Sequence, residues 1–440
     1  MKIYITGLIA VLMIHTAKAQ QPLTLNMEKA KELALKNRFD VQANRYDTEI
    51  AEKEIKGRKQ AYIPDLKITG NVSYHPQIQA ILVPPGFGGI TEPTLLALGA
   101  KSISIYSLEL NQPILSSSLR NDIKIAENSA QWQAERNRGK EIEIKQKVSE
   151  AYLNVLLRDL QQKIALNEEK RYSEYFNLAQ GRYDNGALIE NDYLRAKLDY
   201  QNAKQQSSVT TQNYEISLNT LRHEINVENN VKLELSDKLE DSFLKELPDV
   251  TAAQQNNRTE IRQLEFEKID QNLKLKKQRQ SVLPSLSLVA NYSQQFQNME
   301  FNYDYTDTQW WSGFSAIGLK LSIPLTEHFT NAVSVDQLLL KTRQTEFNFQ
   351  QKKADISYEI NQAVISLSNA QTNAVRTKDS YDLAQKVYEN QQQQLPYGAL
   401  SYDTILNTES SMTSAEQNYI KASYEFLLAK LNYEMAAGTL

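Results

Sequence analysis

Ala61-Tyr62-Ile63-Pro64-Asp65-Leu66 returns as Ser281-Val282-Leu283-Pro284-Ser285-Leu286. Each copy follows a helical pattern and precedes an alternating one. Proline lacks the backbone N–H and blocks a continuing helix, so Pro64 and Pro284 each stop an incoming helix where a strand starts. The echo extends outward. Gln112-Pro113-Ile114-Leu115 answers to Ser322-Ile323-Pro324-Leu325, where Pro113 and Pro324 are expected to end an outgoing strand. Ala151 answers to Ala363, and Gly186-Ala187-Leu188 recurs as Gly398-Ala399-Leu400, with Leu194 and Leu406 eight residues beyond the leucine-preceding glycines. Such self-similarity marks an internal duplication. The expected repeats are 20–246 and 247–440, each running helix, strand, loop, strand, long helix, turn, long helix.

The segments after the strands read as very long helices. No proline lies between Pro113 and Pro248, nor between Pro324 and Pro396. Proline costs about 3 kcal/mol in a helix interior and glycine about 1, so such gaps permit long helices. Apolar residues fill them at spacings of four and three: Ile144, Val148, Ala151 and Val155; Tyr214, Leu218, Leu221 and Ile225; Ile356, Ile360, Ala363, Leu367, Ala370 and Ala374; Ile420, Tyr424, Leu427 and Leu431. That is a coiled-coil seam. A helix over 118–180 would be on the order of 90 Å long. Gly186 and Gly398 sit where the helical hairpins must reverse.

Four shorter stretches alternate instead. Leu66, Ile68, Val72 and Tyr74 oppose Lys67, Thr69, Asn71 and Ser73; Tyr106, Leu108 and Leu110 oppose Ser107, Glu109 and Asn111. Leu286, Leu288, Ala290 and Tyr292 oppose Ser287, Asn291 and Ser293; Ile317, Leu319, Leu321 and Ile323 oppose Gly318, Lys320 and Ser322. Strands of about ten residues, apolar outward and polar inward, suit a membrane barrel, with Ile68, Leu108, Leu288 and Leu319 facing lipid. The edge of a soluble sandwich alternates in the same way, so the pattern alone leaves both open.

The N-terminus carries Lys2, an apolar run Ile3 to Ile14 and Ala17-Lys18-Ala19, the form of a signal peptide over 1–19. There is no cysteine, hence no disulfide, thiolate metal site or Cys nucleophile. The net charge of -4 argues against nucleic-acid binding. Mean hydropathy is -0.53, and no stretch after residue 20 reaches the eighteen-odd apolar residues of a membrane helix. The four histidines, His15, His75, His223 and His328, are scattered outside metal-ligand spacings. No nucleophile elbow, phosphate loop or dinucleotide fingerprint occurs. No catalytic set, metal or cofactor is expected.

The duplicated helix, the Leu-Pro-Ser-Leu strand entry, the Gly-turned hairpin and the closing Ala437-Gly438-Thr439-Leu440 resemble the outer membrane efflux protein family typified by TolC. The resemblance spans roughly 22–440. It implies a mostly α fold with transmembrane β: coiled-coil helical hairpins forming a periplasmic tunnel, and four strands per protomer in a trimeric twelve-stranded barrel. It also implies residence in the outer membrane, extension into the periplasm, and passive export within a tripartite system. The partners it implies are two further copies, a periplasmic adaptor, an inner-membrane transporter and outer-membrane lipid. Gly186 and Gly398 match the glycines that the family presents to the adaptor. At the tunnel entrance the family's acidic gate positions read Thr404 and Asn407 here, with Asp403 and Glu409 the nearest carboxylates, so an acidic gate through Asp403 and a hydrogen-bonded gate both stand. Independently of the resemblance, four strands cannot close a barrel, and an open edge in lipid leaves backbone groups unpaired.

A periplasmic coiled-coil scaffold or adaptor without a barrel is the alternative reading; it accounts for the heptads and leaves the matched helix–strand junctions unexplained. Trp310 and Trp311, beside Tyr303 and Tyr305, suit an interfacial aromatic belt. The loop at about 76–102 is unusually apolar, through Ile81, Leu82, Val83, Leu95, Leu96 and Leu98. It either folds over the barrel mouth or contacts lipid.

Overall fold

The computed structural model describes residues 23–238, 257–300, 311–394 and 402–440. The signal segment 1–19, Trp310 and Gly398 lie outside these, and of Asp403 only the backbone is described. In order, the elements are β1 (Leu23–Leu25), α1 (Met27–Asn37), α2 (Phe39–Gln60), β2 (Asp65–Tyr74), β3 (Ala80–Val83), β4 (Thr94–Ala97) and β5 (Ser102–Leu115). Then follow α3 (Ser117–Asp184), α4 (Glu190–Glu224), β6 (Leu233–Leu235), α5 (Thr259–Gln280), β7 (Ser285–Asn298), β8 (Trp311–Ser322), α6 (Leu325–Gln394) and α7 (Tyr402–Ala437). α3 has 68 residues and α6 has 70, so each is about 100 Å long. No helix among the described residues is long and apolar enough to cross a membrane.

Two compact units form, one from Met1–Asn44, Asn137–Thr259 and Lys353–Leu440, the other from Arg45–Arg136 and Glu260–Lys352. In the first, the coiled-coil seams supply the core. Val148, Val155, Leu221, Ile225, Ile356 and Leu367 are all buried. α1, the middle of α3 and the end of α4 share one cluster; α6 and α7 share another around Leu367, Ala374, Phe426 and Tyr433. β1 and β6 pair in parallel, Leu23 on Leu233 and Leu25 on Leu235. The buried Tyr152 hydroxyl bridges the Leu25 carbonyl and Asp237 Oδ2, both at 3.0 Å, and the Met27 amide donates to that same carboxylate oxygen at 3.0 Å. Burial pushes the Tyr152 phenol well up. Arg38 at the α1–α2 junction pairs with Asp40 at 2.8 Å and Glu224 at 2.6 Å.

In the second unit, the prolines act as the sequence suggests at the strand entries. α2 ends four residues before Pro64 and α5 four before Pro284, and β2 and β7 begin at the next residue. Side chains lock these corners. Gln278 and Asn331 exchange two hydrogen bonds of 2.6 and 2.8 Å, Asn121 donates to Gln280 Oε1 at 2.7 Å, and Lys277 pairs with Asp122 at 2.5 Å. The exits differ. β8 stops before Pro324, whereas β5 runs through Pro113 to Leu115. The ladder with β7 shifts register between Pro113 and Leu115, because proline has no N–H to donate and the pairing must step past it. The expectation that Pro113 ends the strand is therefore corrected.

The four long strands make one antiparallel sheet in the order β2-β5-β7-β8. β3 and β4 form a separate hairpin inside the loop that joins β2 to β5, pairing Ile81 with Leu96 and Leu82 with Leu95.

Candidate functional site

The sheet registers decide which side chains share a face. Asp65 pairs with Asn111, Asn111 with Val289, and Val289 with Gly318. Because side chains alternate strictly along a strand, this row fixes both faces up to the register shift at Pro113. On one lie Leu66, Ile68 and Val72 of β2, Tyr106, Leu108 and Leu110 of β5, Leu288, Ala290 and Tyr292 of β7, and Ile317, Leu319 and Leu321 of β8. Ile68 opposes Leu108, and Leu288 opposes Leu319. The four residues expected to face lipid therefore share one face, in two different rows. Ile68 is 80% exposed and Leu319 65%, Leu108 is exposed, and Leu288 is half-buried. An apolar surface of this extent on a single face is unusual for a protein in water.

The other face is polar. Lys67 pairs with Glu109 at 3.2 Å, Thr69 donates to Glu109 at 3.0 Å, and the Ser107 and Ser293 hydroxyls meet at 2.8 Å. These are cross-strand neighbours, the unit of sheet stabilisation. Lys67, Glu109, Asn111, Asn291 and Gly318 line an open concavity on this unit.

Trp311 begins β8 on the apolar face. Its ring lies 5.4 Å from the buried Phe296 and 6.3 Å from Tyr106. Tyr74 and Tyr292 share that face, so aromatics gather toward the strand ends remote from Pro64 and Pro284. The sequence pointed to Trp311 and missed Phe296, which the alternation of β7 could have supplied.

The first helical turn is well defined. Gly186 has φ +69, a left-handed conformation that a side chain with Cβ resists. Its N–H reaches the Tyr183 carbonyl at 2.9 Å, and that of Ala187 the Arg182 carbonyl at 2.8 Å, closing α3 as a glycine C-cap. Tyr183 and Tyr193 stack across the turn with centroids 4.9 Å apart, and Phe176 stacks on Tyr200 at 5.7 Å. A Cβ at Gly186 would meet nothing within 4 Å, so the glycine faces open space.

Thr404 is half-buried and Asn407 exposed in the early turns of α7. Glu409 is buried, with Arg171 of α3 as its ion-pair partner. Glu416, one helical seam further along α7, has its carboxyl pushed up by burial against the opposing pull of Arg171 and a hydrogen bond with Tyr381. Glu168 on α3 is likewise raised by burial, opposed by Arg171. Arg171 thus pairs with Glu409, and its charge also favours the ionised forms of Glu168 and Glu416. The sequence named Asp403 and Glu409 as the carboxylates nearest the gate positions and gave no sign of Arg171.

Residues 31–226 match the family model described as outer membrane efflux protein. That match spans a little under half of the chain, from α1 to just beyond α4. None of the curated proteins compared matches it in sequence. Solved structures of like fold include CusC, at 16% identity and a TM-score of 0.74 over 94% of this chain and 92% of that one. The CmeC outer membrane channel of Campylobacter jejuni has 17% identity and a TM-score of 0.72 over 94% and 85%. The MtrE outer membrane channel of Neisseria gonorrhoeae, in its open state, has 16% and 0.73 over 94% and 88%. At these identities the likeness is one of fold. CmeC and MtrE are outer membrane channels.

Proposed function

We propose that three copies of the chain close a twelve-stranded barrel in the outer membrane, continued by a helical tunnel into the periplasm, and that the assembly is the passive exit duct of a tripartite efflux or secretion system. The observation that carries this reading is the four-stranded sheet, exposed and apolar on one face, hydrogen-bonded and polar on the other, with both outer edges unpaired among the described residues. Lipid can cover the first face and water the second. An edge in lipid leaves backbone groups unsatisfied at several kcal/mol each, which favours closure with further copies. Two copies would give eight strands, whose interior side chains fill; three leave a water-filled lumen. Ile68, Leu108, Leu288 and Leu319 then meet lipid, and Trp310 and Trp311 sit in an interfacial belt.

On this reading the duplication into 20–246 and 247–440 provides two hairpins per chain. Gly186 and Gly398 lie at their tips and receive a periplasmic adaptor, which links the duct to an inner-membrane transporter. Asp403, Thr404 and Asn407 line the entrance. Residues 1–19 direct the chain through the inner membrane and are removed. A duct of this kind does no chemistry, and no catalytic group is assigned. The purified protein in detergent should have the mass of a trimer; a conducting monomer or dimer overturns the architecture.

A further inference from the structure

Among the described residues the sheet ends in two edge strands, β2 and β8, each paired on one side only, and their residues restrict how one protomer can join the next. We propose that β8 of one copy pairs with β2 of the neighbouring copy in the register that sets Gly318 opposite Asn71, Lys320 opposite Thr69 and Ser322 opposite Lys67. The proposal rests on the trimeric barrel reading and specifies its seam.

Three constraints converge. The first is parity. Three antiparallel steps separate β2 from β8, so the two edges can themselves pair antiparallel. Polar side chains occupy the odd positions of β2 and the even positions of β8, and a slip of one residue would turn one strand inside out. Gly318 can therefore meet Lys67, Thr69, Asn71 or Ser73.

The second is closure. The row Asp65, Asn111, Val289, Gly318 runs across one protomer. Continuing it to Lys67, Thr69, Asn71 or Ser73 displaces the strand by two, four, six or eight residues per copy, tripled around the ring. Twelve strands at about 4.8 Å span about 58 Å across the strands, and with about 3.4 Å per residue these displacements tilt them by about 19°, 35°, 47° and 55°. Barrel strands tilt by roughly 35–45°, which removes the first and last. Displacements of four or six in the opposite sense leave at most 65–68 of β2 facing β8 and are removed by lost ladder bonds.

The third is charge. Gly318 on Thr69 would put Lys320 directly opposite Lys67, and directly opposed like charges destabilise a sheet. Gly318 on Asn71 gives Lys320 the Thr69 hydroxyl side and gives Lys67 a serine, while Lys67 keeps its 3.2 Å contact with Glu109. On the outer face this register sets Leu321 beside Ile68 and Ile317 beside Val72, an apolar seam toward lipid. It also keeps 67–74 paired with 315–322.

The chain contains no cysteine, so introduced pairs are unambiguous. Asn71→Cys is combined in one chain with Gly318→Cys, Ala316→Cys or Phe314→Cys, and each full-length protein is oxidised in detergent. A Cβ at Gly318 meets nothing within 4 Å. Directly opposed residues fall within the about 7 Å Cα limit for a disulfide, and a two-residue slip carries them past it. The expected result is a covalent trimer with Gly318→Cys and its loss with the other two. Ser73→Cys with Ala316→Cys probes the same register and guards against one variant misfolding. Linkage through Asn71→Cys with Ala316→Cys or Phe314→Cys, or a trimer of correct mass that neither matched pair links, overturns the register and leaves the trimer standing. A monomeric mass for the unmodified chain overturns both.

Discussion

Ile68 and Leu108 oppose each other across the β2–β5 ladder, on the sheet face away from the Lys67–Glu109 pair, and both side chains stand open in the protomer. A soluble protein would bury such a pair. With lipid against that face, an arginine at Ile68 or Leu319 costs roughly 2–4 kcal/mol near the midplane. Replacing Asn71 or Ser287 by alanine should be mild and should alter conductance instead. Unfolding in lipid or detergent measures the first effect and single-channel recording the second. Arginine tolerated at Ile68 with Asn71→Arg strongly destabilising would reverse the faces.

The strand faces were legible because alternation has a strict period of two and survives any uncertainty in strand ends. The helical seams were legible for a similar reason: Ile356, Ile360, Leu367 and Ala374 repeat with the heptad and are all buried. Other features left no periodic trace. β1 and β6 are three residues each, too short for a pattern, and they join positions some two hundred residues apart. The β3–β4 hairpin was read only as apolar loop, because its two faces are both apolar and show no alternation. Arg171 carried no sequence signal, since its ion-pair partner Glu409 comes from α7. Pro113 misled because a strand can pass a proline by shifting its ladder.

Arg171 and Glu409 tie α3 to α7 through a carboxylate that is largely buried. Removing only the guanidinium strands that charge. A wholly buried pair would lose about 3–5 kcal/mol, and because Arg171 is one-third exposed the expected loss is about 1–3 kcal/mol for Arg171→Ala. Adding Glu409→Gln should recover part of it. A double-mutant cycle on thermal or denaturant unfolding checks this, and strictly additive losses would deny the coupling.

Glu416 gives a pH dependence of definite sign. Burial raises its carboxyl above the ordinary value, against Arg171 and Tyr381. A raised folded-state pKa means that the contribution to stability is fully present below the unfolded value and is lost as pH rises through the folded one. Glu168 acts in the same sense, also through burial. Glu416→Gln removes the ionisation while the amide oxygen still accepts from Tyr381. The variant should be more stable than the parent at neutral pH, with the difference shrinking as pH falls toward the usual carboxylate range. Melting temperature measured across that interval tests it; a parent whose stability rose more steeply with pH than the variant's would refute the assignment.

The adaptor-docking prediction needs a control that the structure supplies. Gly186 faces open space but holds φ +69, so Gly186→Trp combines steric obstruction of a partner with backbone strain at the turn. Asparagine tolerates the left-handed region better than other residues with a Cβ, and Gly186→Asn adds little bulk. If the tip is a docking surface, Gly186→Asn should export normally, whereas Gly186→Trp and Gly398→Trp should assemble as trimers yet lose export, the latter more completely. Asp403→Ala should change conductance or cation preference of the closed channel without affecting assembly. Assembly, export and current are measured on the same preparations, so a folding defect is separable from a docking one. Normal export by an assembled Gly186→Trp, Gly398→Trp double variant would place the adaptor contact elsewhere than the hairpin tips.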